Sequence, residues 1–219
     1  MDAFWPPVIL SLQIAVAAGL VVFAAGLIFG RWMAGKKFKG KILLETFFLL
    51  PLVLPPTVVG FLLIVLLGRN SAAGKVIEWV FGQPVVFTWW AAVLASAAVA
   101  FPLMYQSAKA GFESIDSDIE DAALVDGAGK FHLLVFISIP LALKPLLAGA
   151  ILSFARALGE FGATIMFAGN IPGKTQTAST AIYLAFDEGN MNLAWMWTGC
   201  LVGISFFMLA ILQLLMRKG

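Results

Sequence analysis

Residues 8–30, VILSLQIAVAAGLVVFAAGLIFG, contain no charged side chain. At about 1.5 Å of rise per residue, a helix of this length crosses the ~30 Å hydrocarbon core of a bilayer. The rest of the chain has the same character, because 61% of its 219 residues are hydrophobic and only 12% are charged. A soluble domain has about 25% charged residues. The sequence therefore predicts an all-α, polytopic membrane protein.

Four more stretches are apolar and long enough to cross a bilayer. They are residues 46–67, 85–106, 137–158 and 193–216. The loops between them leave little room for a separate soluble domain. We therefore predict a single transmembrane domain over residues 1–219, with about five membrane-spanning helices.

The basic residues are distributed unevenly along the chain. Ten of the fourteen Lys and Arg residues lie in residues 31–41, in residues 107–144 or at the C-terminus. Because cytoplasmic loops carry the excess of Lys and Arg, the pattern predicts an N-terminus outside the cell and a cytoplasmic C-terminus. A sixth crossing through residues 161–186 is possible on hydropathy alone. It would place Arg217 and Lys218 outside, which favours five spans.

A polar segment, residues 113–140, interrupts the apolar sequence on the predicted cytoplasmic face. Its apolar residues recur at helical spacings, and Gly127 and Gly129 can adopt the positive φ that ends a helix. Ala122 and Ala123 would leave a small surface that a partner can approach closely. The pattern is typical of a short helix that docks on another protein, although composition alone favours a solvated acidic loop.

Two features stand out within or beside the predicted spans: the charged residues Arg156 and Glu160, and the Pro-Pro-Thr sequence at residues 55–57. A lone Arg156 would cost about 2.5–3.5 kcal/mol at the centre of a membrane helix, and its i,i+4 spacing lets Glu160 pair with it on one helix face. The pair could hold a helix end at the outer interface, or form part of a dimer interface or gate, and we expect both residues to face protein. Pro55, Pro56 and Thr57 predict either a kink in the second span or a segment that lines a cavity.

Several classes of site are disfavoured. One cysteine and one histidine exclude a disulfide framework and argue against a metal site. The stretch GNIPGKT, residues 169–175, has three residues where a phosphate-binding loop needs four before Gly-Lys-Thr, so we predict no nucleotide site. The net charge of +2 gives no reason to expect nucleic acid. No nucleophile–base constellation is visible, and we expect no catalytic residue, no cofactor in this chain and no enzyme activity.

The order of residues in the polar segment is specific. Glu120, Ala122, Ala123 and Gly127, then nine residues, then Ile137-Ser138-Ile139-Pro140, resemble the EAA loop of ABC importer permeases. The sequence departs from the family pattern at two places: Asp121 follows the glutamate, and Ile139 stands where leucine is usual.

Three other stretches resemble the molybdate permease branch of that family. They are LPLVLPPTVVGFLL at 50–63, FPLMYQSAKAGFESID at 101–116 and FARALGEFGATIMFAGNIPGKTQT at 154–177. The resemblance implies a type I ABC importer permease fold (MetI-like) in a prokaryotic cell membrane. It also implies that the permease forms a homodimer, which works with a dimer of cytoplasmic ATPases that bind ATP and Mg and with an extracytoplasmic oxyanion-binding protein.

The expected function is therefore ATP-driven molybdate import, with residues 113–140 coupling the permease to the ATPase. Glu120 and Asp126 would offer charged contacts, Ala122 and Ala123 a close-packed face, and Gly127 the turn. A sulfate, thiosulfate or tungstate permease of the same superfamily is the nearest alternative. A secondary transporter driven by an ion gradient would usually show internal repeats and ionisable residues at mid-membrane, and neither is evident.

Overall fold

The computed structural model describes residues 4–217, apart from the side chains of residues 215 and 217. The predicted positions of the two chain ends concern residues 1–3 and 218–219, which lie outside the described residues. Residues 4–217 form helices and connecting turns, without a β-strand. In chain order the helices are α1 (Trp5–Met33), α2 (Lys41–Val53), α3 (Pro56–Leu67), α4 (Ala72–Phe81), α5 (Trp89–Glu113), α6 (Ser117–Val125), α7 (Lys130–Leu133), α8 (Ile139–Leu141), α9 (Leu143–Leu158), α10 (Gly162–Phe167), α11 (Ala178–Asp187) and α12 (Met191–Arg217). A π-helical turn, Leu134–Ser138, joins α7 to α8.

Three of the predicted spans are continuous helices. α1, α5 and α12 are long and apolar enough to cross a membrane. The third span begins at Trp89 rather than at residue 85, because Thr88 caps the helix: its Oγ1 accepts a hydrogen bond of 3.2 Å from the backbone N–H of Ala91. The apolar residues before Thr88 belong to the preceding turn.

The other two predicted spans are bent pairs. α2 and α3 meet at 119°, and α7–α8 meets α9 at 76°. The first bend falls where Pro55 takes an extended conformation (φ −52°, ψ 135°) and Pro56 begins the next helix, since proline cannot continue the hydrogen-bond ladder of the preceding helix. Counted as one span each, the pairs bring the total to the five that the sequence predicts.

Residues 161–186 do not form a sixth crossing. They contain α10, of six residues, and most of α11, of ten residues. Neither approaches the ~20 residues that a spanning helix needs. Gly169 and Gly173 both have φ of +71° in the loop between them, where the backbone turns sharply.

The core of the molecule lies where α1 packs along α5 and α9. Small residues allow a close approach: a Cβ added at Gly30 would lie 2.7 Å from the Cβ of Ala108 on α5. α12 is different, because large apolar side chains such as Phe206 and Phe207 are exposed along it. In a membrane protein such a face lies against lipid or a second chain.

Candidate functional site

The middle of the 113–140 segment is a short helix, α6, followed by a sharp turn. Asp116 begins the helix, since its Oδ1 accepts a hydrogen bond of 3.0 Å from the backbone N–H of Asp118. Gly127 has a φ of +90°, which favours glycine, and its N–H donates to the carbonyl of Leu124. Gly129 has an ordinary φ of −68°. Of the two glycines expected to turn the chain, only Gly127 uses a left-handed conformation.

Helix α6 lies on the surface and has no buried residue. Val125 is 87% exposed, and Ile119 and Leu124 are also exposed. Ala122 is exposed and Ala123 is half-buried. The helix therefore carries apolar side chains that the described residues, 4–217, leave uncovered.

An open cleft of about 530 Å³ lies at the end of α6. Three of the predicted coupling residues, Ala123, Asp126 and Gly127, line this cleft together with Gly129 and His132. The tertiary structure thus brings the helix and its turn to one concave surface that a protruding side chain of a partner could enter.

The side chain of Glu120 is engaged within the chain. Its Oε1 accepts a hydrogen bond of 2.6 Å from the hydroxyl of Ser138, and the guanidinium Nη2 of Arg31 lies 3.0 Å from Oε1 and 3.1 Å from Oε2. Ser138 belongs to the Ile-Ser-Ile-Pro end of the motif, so the two ends of the motif are bonded to each other. Sequence reasoning did not identify Arg31 or Ser138 as partners of Glu120. Ser138 belongs to the motif, which is a weak signal for such a contact, whereas Arg31 is 89 residues away and no local pattern links it to Glu120.

A second ionic network joins α2 to α5 beside this contact. Glu45 pairs with Lys109 and Lys41, and both lysines also approach Glu113, at 3.8 and 4.0 Å. Residues 31–41 and 107–144, which the charge distribution assigned to one face, thus meet at the same end of the bundle. We call this end, with Arg31, Lys41 and Lys109, the basic end.

The pair Arg156–Glu160 forms as predicted, but not on one helix. α9 ends at Leu158, so Glu160 lies beyond it in the turn before α10. Its Oε2 accepts a hydrogen bond of 2.7 Å from Nη1 of Arg156, and its Oε1 accepts one of 2.8 Å from the backbone N–H of Ala163. Glu160 is 2% exposed and Arg156 is half-buried, so the carboxylate faces protein while part of the guanidinium remains accessible.

The turn that contains Glu160 packs against the stretch that contains Pro55, Pro56 and Thr57. A Cβ added at Gly162 would be 3.0 Å from the Cβ of Pro56 and 3.2 Å from the N of Thr57. A Cβ added at Gly60 would be 2.9 Å from the Cα and O of Ala163. α3 and α10 therefore pack backbone to backbone, and we call residues 55–60 and 160–166 the bend region. Pro55 and Thr57 are exposed on the single chain.

A cavity lined by two cations lies at the other end of the bundle, away from the basic end. Its volume is about 370 Å³, and Arg69 and Lys174 line it with Gln83 and Thr88. Both cations are among the four basic residues that lie outside the three predicted cytoplasmic regions, but only the fold places them around one cavity. Within residues 4–217, no three His, Cys, Asp or Glu side chains gather in an arrangement that could hold a metal ion.

These features define a multi-pass helical membrane protein with a surface helix at one end of its bundle. Residues 26–218 match the family described as "Binding-protein-dependent transport system inner membrane component". The chain belongs to this family of ABC importer permeases.

Individual proteins agree with this assignment. The chain is 63% identical to the putative molybdenum transport system permease protein YvgM of Bacillus subtilis (strain 168), and 40% identical to the molybdenum transport system permease protein ModB of Escherichia coli (strain K12). Each alignment covers 96% of this chain and 92% of the relative. The fold is that of type I importer permeases: an inward-facing structure of the MetNI methionine ABC transporter matches with a TM-score of 0.75 at 16% identity, covering all of this chain and 96% of that one.

Proposed function

We propose that this chain is the permease subunit of an ATP-driven importer that moves molybdate into a prokaryotic cell. The observation that carries the proposal is the 63% identity, over 96% of the chain, with a relative named for molybdenum transport. The 40% identity with a second molybdenum permease over the same share of the chain supports it. In this arrangement ATP and Mg are bound by separate ATPase subunits, and this chain performs no catalysis.

The basic end faces the cytoplasm in this proposal, with the N-terminus outside and the C-terminus inside. The excess of Lys and Arg at that end supports the orientation. The 113–140 segment then docks on the ATPase through the exposed face of α6 and the cleft beside Gly127. A short helix with the apolar side chains of Val125 and Leu124 uncovered is suited to a groove in a partner.

A second copy of the chain would complete the translocation path. Five spans are too few to enclose a wide hydrophilic path easily, and much of α12 and the residues Pro55 and Thr57 of the bend region remain exposed on one chain. The bend region would lie beside the path, where non-helical backbone at membrane depth is tolerated if it lines a cavity or is buried in protein.

The opposite end would receive the anion from an extracytoplasmic binding protein. Arg69 and Lys174 give the cavity there a positive charge, which raises the local concentration of a dianion. With so few cations available, binding in the permease would be weak, and selectivity would reside mainly in the binding protein.

The test is uptake of radiolabelled molybdate in cells that lack their own molybdate permease and carry this chain with its ATPase and binding protein. The expected uptake survives excess sulfate, falls with excess tungstate and vanishes with an inactive ATPase. Uptake abolished by sulfate would assign the chain to a sulfate system instead. Uptake that is independent of the ATPase would indicate a gradient-driven transporter and contradict the proposal.

A further inference from the structure

We propose that Arg31 and Ser138 are positioning residues that fasten the coupling helix α6 to the membrane helices through the carboxylate of Glu120. This inference rests on the proposed function for its transport consequence, but not for its structural one. It assigns Glu120 a role within the permease, in place of a charged contact offered to the ATPase.

Helix α6 has little else to hold it. None of its residues is buried, so apolar packing contributes little to its position. Among the described side chains, Asp118, Asp121 and Asp126 make no ion pair with any other part of the chain. Glu120 is the acidic residue of the helix whose carboxylate is engaged by two separate elements.

The two partners of Glu120 are themselves held firmly. Ser138 is fully buried, and its hydroxyl also lies 3.3 Å from the carbonyl of Leu133. The guanidinium of Arg31 lies 5.5 Å from the ring centroid of Phe112 on α5, a distance at which a cation–π contact is favourable. The backbone of Arg31 is held in place as well, because its neighbour Gly30 packs almost directly against the backbone of α5 at Ala108.

The contact therefore connects three elements: α6, the end of α1 that packs on α5, and the π-helical turn that leads through α8 into α9. A displacement of α6 by the ATPase would be transmitted through Glu120 to both membrane elements. The side chains of Arg31 and Glu120 are 29% and 20% exposed. An ion pair this accessible contributes little to the free energy of unfolding, so its loss should affect transmission more than folding.

Two measurements test the proposal, and one of them does not depend on transport. The first is hydrogen exchange of the purified permease in detergent. Arg31→Ala should raise exchange of the α6 amides a few-fold and leave α5 unchanged. Lys37→Ala is the matched control, since Lys37 is a basic residue in the loop just after α1 and makes no ion pair among the described side chains. It should leave the exchange of α6 as in the unmodified chain.

The second measurement is ATP-dependent uptake by the full transporter. Arg31→Ala and Glu120→Ala should each lower uptake about tenfold at equal amounts of assembled complex, and the exchanged pair Arg31→Glu with Glu120→Arg should recover most of it. Ser138→Ala should have a smaller effect in the same direction. If Glu120 acted on the ATPase, Arg31→Ala would transport normally and the exchanged pair would be no better than Glu120→Arg alone.

Each outcome decides the proposal. Unchanged exchange of α6 in Arg31→Ala overturns it, and so does raised exchange with normal uptake, because the contact would then hold the helix without serving transport. If the unmodified chain moved no oxyanion, the proposed function would fail while hydrogen exchange still decided whether Glu120 fastens α6.

Discussion

The bend region and the coupling segment each contain a glutamate paired with an arginine, but the two pairs do different work. Glu160 is buried, its partner Arg156 is four residues away, and its second oxygen holds the N–H of Ala163 at the start of α10. Glu120 is partly exposed, and its partner Arg31 is 89 residues away. The first pair holds one turn of the chain, whereas the second joins separate elements.

The glycines of the two regions also differ in how closely other atoms pack around them. A Cβ at Gly60 or Gly162 would collide with the facing backbone, whereas a Cβ at Gly127 or Gly129 would meet nothing within 4 Å. The bend region is therefore fixed by close packing. The coupling segment is fixed by one polar contact and one backbone turn, which leaves it free to bind a partner.

The largest effect is expected from Glu160→Ala. The change would leave Arg156 without its counter-charge and the N–H of Ala163 without its acceptor. Leaving the buried N–H without its acceptor costs about 1–3 kcal/mol, and loss of the partly accessible ion pair adds to this, so the Tm of the purified permease should be clearly lowered. Glu160→Gln keeps an oxygen that can accept from the N–H of Ala163, so its Tm should lie between those of the unmodified chain and of Glu160→Ala. An unchanged Tm in Glu160→Ala would show that this pair does not stabilise the turn before α10.

The next largest effect should come from Gly60→Ala. The added methyl would lie 2.9 Å from the backbone of Ala163, and overpacking of this kind costs about 1–3 kcal/mol. Gly199→Ala on α12 is the matched control, because its Cβ meets nothing within 4 Å and alanine is the better helix former by about 0.5–1 kcal/mol. Thermal denaturation in detergent should separate the two variants. Equal Tm values would mean that α3 and α10 are not packed closely.

A smaller and more local effect is expected from Gly127→Ala. Both Gly127 and Gly129 have room for a methyl group, but only Gly127 has a positive φ, where a side chain costs about 1–2 kcal/mol. Uptake should therefore fall in Gly127→Ala and stay normal in Gly129→Ala.

Gly127→Pro tests the same turn more severely. Proline is confined to a φ near −65° and cannot adopt +90°, so coupled uptake should be lost although insertion into the membrane is retained. Normal ATP-coupled uptake in this variant would show that the turn is not needed for coupling.

The smallest effect should come from Lys174→Gln in the cavity of the opposite end. Removing one of two cations there should lower uptake a few-fold at low ionic strength, and less at high ionic strength, because the attraction is screened by salt. Lys75→Gln removes a charge from the same predicted side of the membrane without altering the cavity. If both variants lowered uptake equally, the cavity would have no special role.

Much of the fold could be predicted from local sequence. α1, α5 and α12 follow from long apolar stretches, and the break of the second span follows from Pro55 and Pro56. The pair Arg156–Glu160 followed from its short spacing, although the helix ended earlier than its period suggested. The bend of 119° did not follow, because a proline fixes where a helix stops and not the direction of the next one.

The sequence alone determined that this chain is a multi-span membrane protein with a polar segment suited to docking. Hydrophobicity and charge act residue by residue, and they can be read without knowing what lies opposite. Only the tertiary structure decided that Glu120 meets Arg31 and Ser138, and that Arg69 and Lys174 share a cavity. Those contacts join residues far apart in the chain, and they depend on how closely the helices pack, which no local pattern specifies.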